Sequence, residues 1–134
     1  MPKNLKTFNM NIEIRFDRTG KIIPSYNGRD ITMDDSPYMI FLSTVGMCSA
    51  VYVRAFLNQR NMSLEGVTLT QKIEHNPATN MVEDMGIKVN LNEDFPTKYN
   101  RAIKMVVDQC PVKQHLVTPP SVTVTTNIDV LADA

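Results

Sequence analysis

The residues that usually build metal centres and disulfide scaffolds are scarce in this chain: histidine and cysteine occur twice each among 134 residues, and tryptophan does not occur. A metal site would have to draw on Cys48, Cys110, His75 and His115. No CxxC or HxxxH pair supplies a local chelate, so no metal or other bound cofactor is expected. His115, five residues after Cys110, reads as a polar residue on a short exposed turn. Two cysteines are also too few for a framework of structural bridges. An excess of charge is missing as well. Lysine plus arginine number 14 and aspartate plus glutamate number 14, with no run of one sign, so neither a nucleic-acid backbone nor an anionic membrane is an expected partner.

Long uninterrupted apolar runs are missing too. Residues 1–7 hold no stretch of signal-peptide length and no small-residue cleavage pattern. The most apolar run, 38–56, is broken by Ser43, Thr44, Gly46, Ser49 and Arg54 and reads as short of a membrane span. The expectation is a soluble cytoplasmic protein. With 43% hydrophobic residues the chain has enough apolar side chain for one core, and residues 1–134 read as a single domain.

What is present is a clear change of period along the chain. Phe8, Met10, Ile12, Ile14 and Phe16 alternate as in a half-buried strand. Asp17-Arg18-Thr19-Gly20 makes a turn into a second strand through Ile22 and Ile23, and Asn27-Gly28 marks another turn before Ile31. Asp34-Asp35-Ser36-Pro37 is a helix start, with a capping serine and a proline where no amide hydrogen is needed. The helix is expected over 37–61, buried on all sides in its first turns. Leu64-Glu65-Gly66 follows it. Val67, Leu69, Gln71 and Ile73 alternate in a strand, 76–80 is a turn, and Met85, Ile87, Val89 and Leu91 share one face of the next strand. Asp94 and Pro96 open a second helix that brings Cys110 to its core side. A short helical turn through 112–116 precedes Pro119-Pro120, and Val122, Val124, Thr126, Ile128 and Val130 alternate as a last strand. The order is β-β-(β)-α-β-β-α-β, an α+β domain.

The two cysteines stand in particular contexts: Cys48 inside the apolar helix, Cys110 at the end of the second helix just before Pro111. In a chain with no other thiol this suggests a pair that meets in the fold and does redox chemistry. A thiolate attacks a peroxide bond, becomes a sulfenic acid, and a second thiol condenses with it to a disulfide that an external dithiol reopens. Sulfur carries the electrons. At an ordinary pKa near ~8.5 only roughly 3% of a thiol is thiolate at pH 7, so a neighbouring cation matters, and a mid-helix thiol gains little from its own helix dipole.

Ser36-Pro37, a small residue before Gly46, then Gly46 and Cys48 in one apolar helix, Leu64-Glu65-Gly66 before a strand, and Cys110-Pro111-Val112 beyond it together resemble the OsmC/Ohr family of osmotically induced and organic-hydroperoxide-resistance proteins. The resemblance covers essentially the whole chain. It implies an intertwined homodimer with two central helices packed together and active sites at the subunit interface. It implies reduction of organic hydroperoxides, with Cys48 attacking, Cys110 resolving and an external dithiol reductant restoring the pair.

The resemblance also implies an activating arginine and a glutamate that holds it. Arg18, in Arg18-Thr19-Gly20, best matches the arginine, with Arg29 and Arg15 as alternatives. The glutamate position falls on Tyr38 or Met39, so this chain departs from the pattern, and Asp34 or Asp35 is left to take over. Tyr38, Met39, Phe41 and Tyr52 are the expected pocket lining around Cys48, suited to an alkyl or aryl hydroperoxide. The missing glutamate leaves a second reading open. On it the chain is a catalytically weak OsmC-like dimer that binds a small apolar molecule in a stress response.

Overall fold

The computed structural model describes residues 8–132, so the reading of residues 1–7 lies outside it. Strict alternation in β1 (Phe8–Phe16) sends Met10, Ile12 and Ile14 inward to at most 9% exposure, while Asn9, Asn11, Glu13 and Arg15 stay exposed. The turn that follows is organised by Asp17, whose Oδ1 accepts from the Thr19 and Lys21 amides at 2.8 and 2.9 Å, and Gly20 supplies the positive φ of 86°. β2 (Ile22–Tyr26) returns. Asn27 and Gly28, at φ 52° and 78°, then make a two-residue turn that sets Tyr26 opposite Arg29 in the short β3 (Arg29–Asp30).

With β4 (Thr68–Asn76) and β5 (Met81–Asn90) these strands form one antiparallel sheet in the order β3-β2-β1-β4-β5. Register stacks the inward residues. Ile12 lies opposite Gln71, Ile14 opposite Leu69, and Gln71 in turn opposite Ile87. Burial of each such aliphatic side chain contributes about 1.5–3 kcal/mol, so the middle of the sheet holds much of the stabilising surface.

One long helix, α1 (Pro37–Gln59), crosses the inner face of the sheet. Ser36 Oγ accepts from the Met39 amide at 3.2 Å and Pro37 takes the first helical position, as the sequence leads one to expect; the helix stops two residues before 61. By length and composition α1 would pass for a membrane-crossing helix, contrary to the sequence reading, but half of its most apolar window is buried inside the fold. It is not buried all round either. Leu42, Val45, Gly46, Ser49, Ala50, Val53 and Leu57 face the sheet, whereas Phe41, Val51, Ala55 and Asn58 are exposed and Thr44 and Cys48 are half-buried between them. The sheet, α2 and α3 pack against α1 and leave part of its circumference uncovered.

After β5 a helical turn at Thr97–Tyr99 leads to α2 (Asn100–Asp108) and α3 (Pro111–Val117). The expected last strand is not formed. Residues 118–126 run without strand pairing, Val122 and Val124 are 84% and 88% exposed, and a helix, α4 (Asn127–Ala132), follows them. Alternation makes a segment fit to pair, but a strand exists only where an edge receives it. The helix has its own local signal, a reciprocal cap: the Thr126 amide donates to Asp129 Oδ2 at 3.0 Å and the Asp129 amide to Thr126 Oγ1 at 3.3 Å.

Candidate dithiol site

Cys110 caps the start of α3 and is fully buried; Cys48 lies half-buried on α1. The packing of α3 against α1 brings the two free thiols, and the Val112 backbone N–H, near enough to act on the Cys48 sulfur. Pro111 has no amide hydrogen, so Val112 carries the first N–H of α3. The pair foreseen from sequence therefore meets. The Val112 N–H was not foreseen, because the tertiary path alone sets what a helix end points at.

The electrostatics run against nucleophilic attack within one chain. Burial, then the hydrogen bond with Cys110, push the Cys48 thiol from 9.0 up to about 11, against a smaller opposing effect of the Val112 N–H. At pH 7 roughly one part in ten thousand would be thiolate. No arginine acts on Cys48 among the described residues.

The arginines are placed elsewhere. Arg18 is exposed at the β1–β2 turn, in the wall of a cleft of about 1110 Å³ shared with Lys21 and Arg54. Arg54 donates to the Gly20 carbonyl at 2.7 Å, and it follows Cys48 by about 9 Å along the helix axis. Arg15 pairs with Asp30 at 2.9 Å. Arg29 pairs with Asp35 at 2.8 Å, and the Asp35 side chain, only 9% exposed, also accepts from the Thr32 amide at 2.8 Å. Those two bonds, the Thr32 amide first, hold the Asp35 carboxyl below its ordinary value. Asp34 is exposed and bonds through its backbone to Thr32 Oγ1, not to an arginine. Of the two aspartates offered as stand-ins for the missing glutamate, Asp35 is the one that holds an arginine, and that arginine is Arg29.

The expected pocket residues do not share one surface. Tyr52 and Phe41 lie on the Cys48 side of α1 by helical spacing, Met39 is turned about 180° from Cys48, and Met39 packs against the core. Tyr38, 41% exposed, packs edge-on to His75. A separate, mostly apolar cleft of about 630 Å³ opens between α1, β5, α2 and α3, with Val45 and Ser49 at its α1 wall and Leu116 and Val117 at its α3 wall.

His75 sits on β4 between Phe8 and Tyr38 with its Nε2 3.3 Å from Asn80 Oδ1, and His115 Nδ1 lies 2.7 Å from the Pro111 carbonyl on the exposed face of α3. Among the described residues no three His, Cys, Asp or Glu side chains gather as a metal-ligand set.

Comparison with known proteins follows the same outline. The fold matches the crystal structure of an OsmC-like hydroperoxide resistance protein from Jannaschia sp. CCS1, with a TM-score of 0.65 over 91% of this chain and 95% of that one at 9% identity. Identity that low carries the fold alone. No match was found among curated protein sequences. The family model for OsmC-like proteins matches residues 34–125, well over half of the chain and the stretch that holds both cysteines, so the chain belongs to the OsmC-like protein family.

Proposed function

We propose that this protein is a homodimeric thiol peroxidase for organic hydroperoxides. The observation that carries the reading is the contact between Cys48 and Cys110, thiols from two elements far apart in sequence, in a family whose structural relative is described as a hydroperoxide resistance protein. The Cys48 thiolate attacks the outer peroxide oxygen, the O–O bond breaks, and the alcohol leaves after taking up a proton. Cys48 is then a sulfenic acid. Cys110 displaces its hydroxyl as water, forming the disulfide, and an external dithiol returns both thiols while becoming a disulfide itself.

On this reading a second subunit supplies the cation that none of the described residues brings to Cys48. The exposed and half-buried stripe of α1 runs Phe41, Thr44, Cys48, Val51, Ala55 and Asn58, alternating steps of three and four. That spacing is the seam by which one helix packs along another, and it supports two α1 helices meeting across a dimer. The activating cation then comes from the partner subunit, by Arg18 or by Arg29 held on Asp35. Arg29 lies at the foot of its own α1, about 16 Å of helix rise from the Cys48 level, too far to act within one chain. The raised Cys48 pKa favours the second reading, a catalytically weak dimer that binds a small apolar molecule.

Intact mass after one equivalent of an organic hydroperoxide, with hydrogen peroxide in parallel, decides between them. Rapid loss of two hydrogens in the wild type, gain of one oxygen in Cys110→Ser and no change in Cys48→Ser are the expected results. Thiols that stay reduced would leave the binding reading. In the same assay Arg18→Ala and Arg29→Ala identify which arginine activates.

A further inference from the structure

Gln71 is the one fully buried residue on the inward face of β4 that is not apolar or aromatic, at 0% exposure between Leu69 and Ile73. A buried amide without partners is costly, so where its bonds go is informative. Its Nε2 donates to the Leu42 carbonyl at 2.7 Å and contacts Met85 Sδ at 3.3 Å, while its Oε1 accepts from the Gly46 amide at 3.1 Å. Leu42 and Gly46 are residues i and i+4 of α1, whose carbonyl and amide are the acceptor and donor of one helical backbone bond. One side chain of the sheet thus bonds both of these backbone groups of the helix.

Gly46 makes this approach feasible. A Cβ there would lie 2.2 Å from Ile14 Cδ1 and 2.6 Å from Gln71 Oε1, so the helix touches the sheet where only glycine fits. The contact lies two residues before Cys48. A helix pinned by two directional hydrogen bonds has its depth and its rotation fixed together. Apolar packing alone leaves rotation softer.

We infer that Gln71 is the positioning residue for Cys48: its amide, bridging Leu42 and Gly46, sets the depth and rotation of α1 at which the Cys48 thiol meets Cys110. The inference rests on the redox reading of the pair, and the test separates the two. Diamide oxidises two neighbouring thiols to a disulfide, its N=N bond taking up their two protons and two electrons to become a hydrazine. It therefore reports the geometry of the pair without any hydroperoxide.

In Gln71→Met the side chain keeps its length but neither accepts nor donates as an amide does, so both of its bonds to α1 are lost. With near-UV circular dichroism and a cooperative melt showing a folded protein, diamide-driven disulfide formation is expected to slow about tenfold or more, the scale on which misplaced reacting groups lose rate. In Cys110→Ser, adding Gln71→Met should also shift the midpoint of the pH profile for Cys48 alkylation by iodoacetamide, which a stability loss alone would not do. Gln71→Glu should recover most of the wild-type diamide rate at pH 6, where a buried, protonated carboxyl both donates and accepts, and lose it as the pH rises and the group ionises. If Gln71→Met does not fold, that recovery carries the test by itself.

A folded Gln71→Met with the wild-type diamide rate, or a slowed rate with an unmoved alkylation profile, would overturn the inference. So would a Gln71→Glu whose diamide rate relative to wild type is the same at pH 6 as at higher pH. A wild type that forms the disulfide rapidly with diamide but not with hydroperoxide would remove the peroxidase reading and leave the positioning role standing.

Discussion

The β1–β4–α1 middle of the molecule and its β5-to-carboxyl-terminal flank are built from similarly patterned sequence and end in different states. In the middle, Ile12, Ile14, Leu69, Gln71 and Ile73 reach at most 1% exposure, and the helix is bonded into the sheet by Gln71. In the flank, Met85, Ile87 and Val89 are only half-buried, a cleft of about 630 Å³ lies over them, and Val122 and Val124 are exposed. Alternation gives a strand its two faces, but burial needs an element on each side of the contact. The middle has both; the flank and the outer stripe of α1 keep apolar surface uncovered.

The comparison can be broken most forcefully at Leu69. Leu69→Ala should cost about 2–5 kcal/mol in a denaturant titration. Ile87→Ala on the half-buried flank should cost clearly less, and equal costs would mean the flank is covered in solution. Gly46→Ala should cost about 1–3 kcal/mol, because its Cβ has nowhere to go between Ile14 and Gln71. Since the chain has no tryptophan, circular dichroism rather than tryptophan emission follows these transitions.

A pH experiment sharpens the same contrast at the thiol. The folded Cys48 holds its proton to about 11 against 9.0 for an ordinary thiol. Its contribution to stability is therefore complete below 9.0 and is lost as the pH rises toward about 11. Alkylation of Cys48 in dilute, monomeric protein should have its midpoint near about 11. A lower midpoint at concentrations where a dimer forms would show the cation arriving from the partner, and concentration independence would count against it. The smallest effect belongs to the carboxyl-terminal segment. Val122→Thr with Val124→Thr should change single-chain stability by no more than about 0.5 kcal/mol, as for other exposed sites. A larger loss that appears only at high concentration would mark this segment as part of a subunit interface.

Much of the fold was legible because its signals are local. Period-two alternation in β1 and β4, the Asn27-Gly28 turn and the Ser36-Pro37 cap each act within a few residues, and each is where the sequence puts it. The last strand failed for a reason that alternation cannot contain, namely which edge is vacant, and the Thr126–Asp129 cap that competes with it went unread. Of the candidate site, the meeting of Cys48 with Cys110 was foreseen from the pair and the family resemblance. The partnership of Arg29 with Asp35 was not, since Asp34 and Asp35 are alike as letters and differ only in how the 31–36 loop turns them. Gln71 was visible as a polar residue on an apolar strand face, which signals that something must satisfy it but not what.

The sequence by itself determined the strands of β1 and β4, the start of α1, the scarcity of metal ligands and the presence of two thiols. Tertiary structure decided that α1 is pinned to the sheet through Gln71, that Asp35 rather than Asp34 holds an arginine, and that Cys48 lies beside Cys110 with no cation acting on it among the described residues. The division follows from range. Periodicity, caps and turns are decided by neighbours along the chain, whereas the pKa of a thiol and the partner of a buried amide depend on groups brought together only when the sheet and helix close on each other.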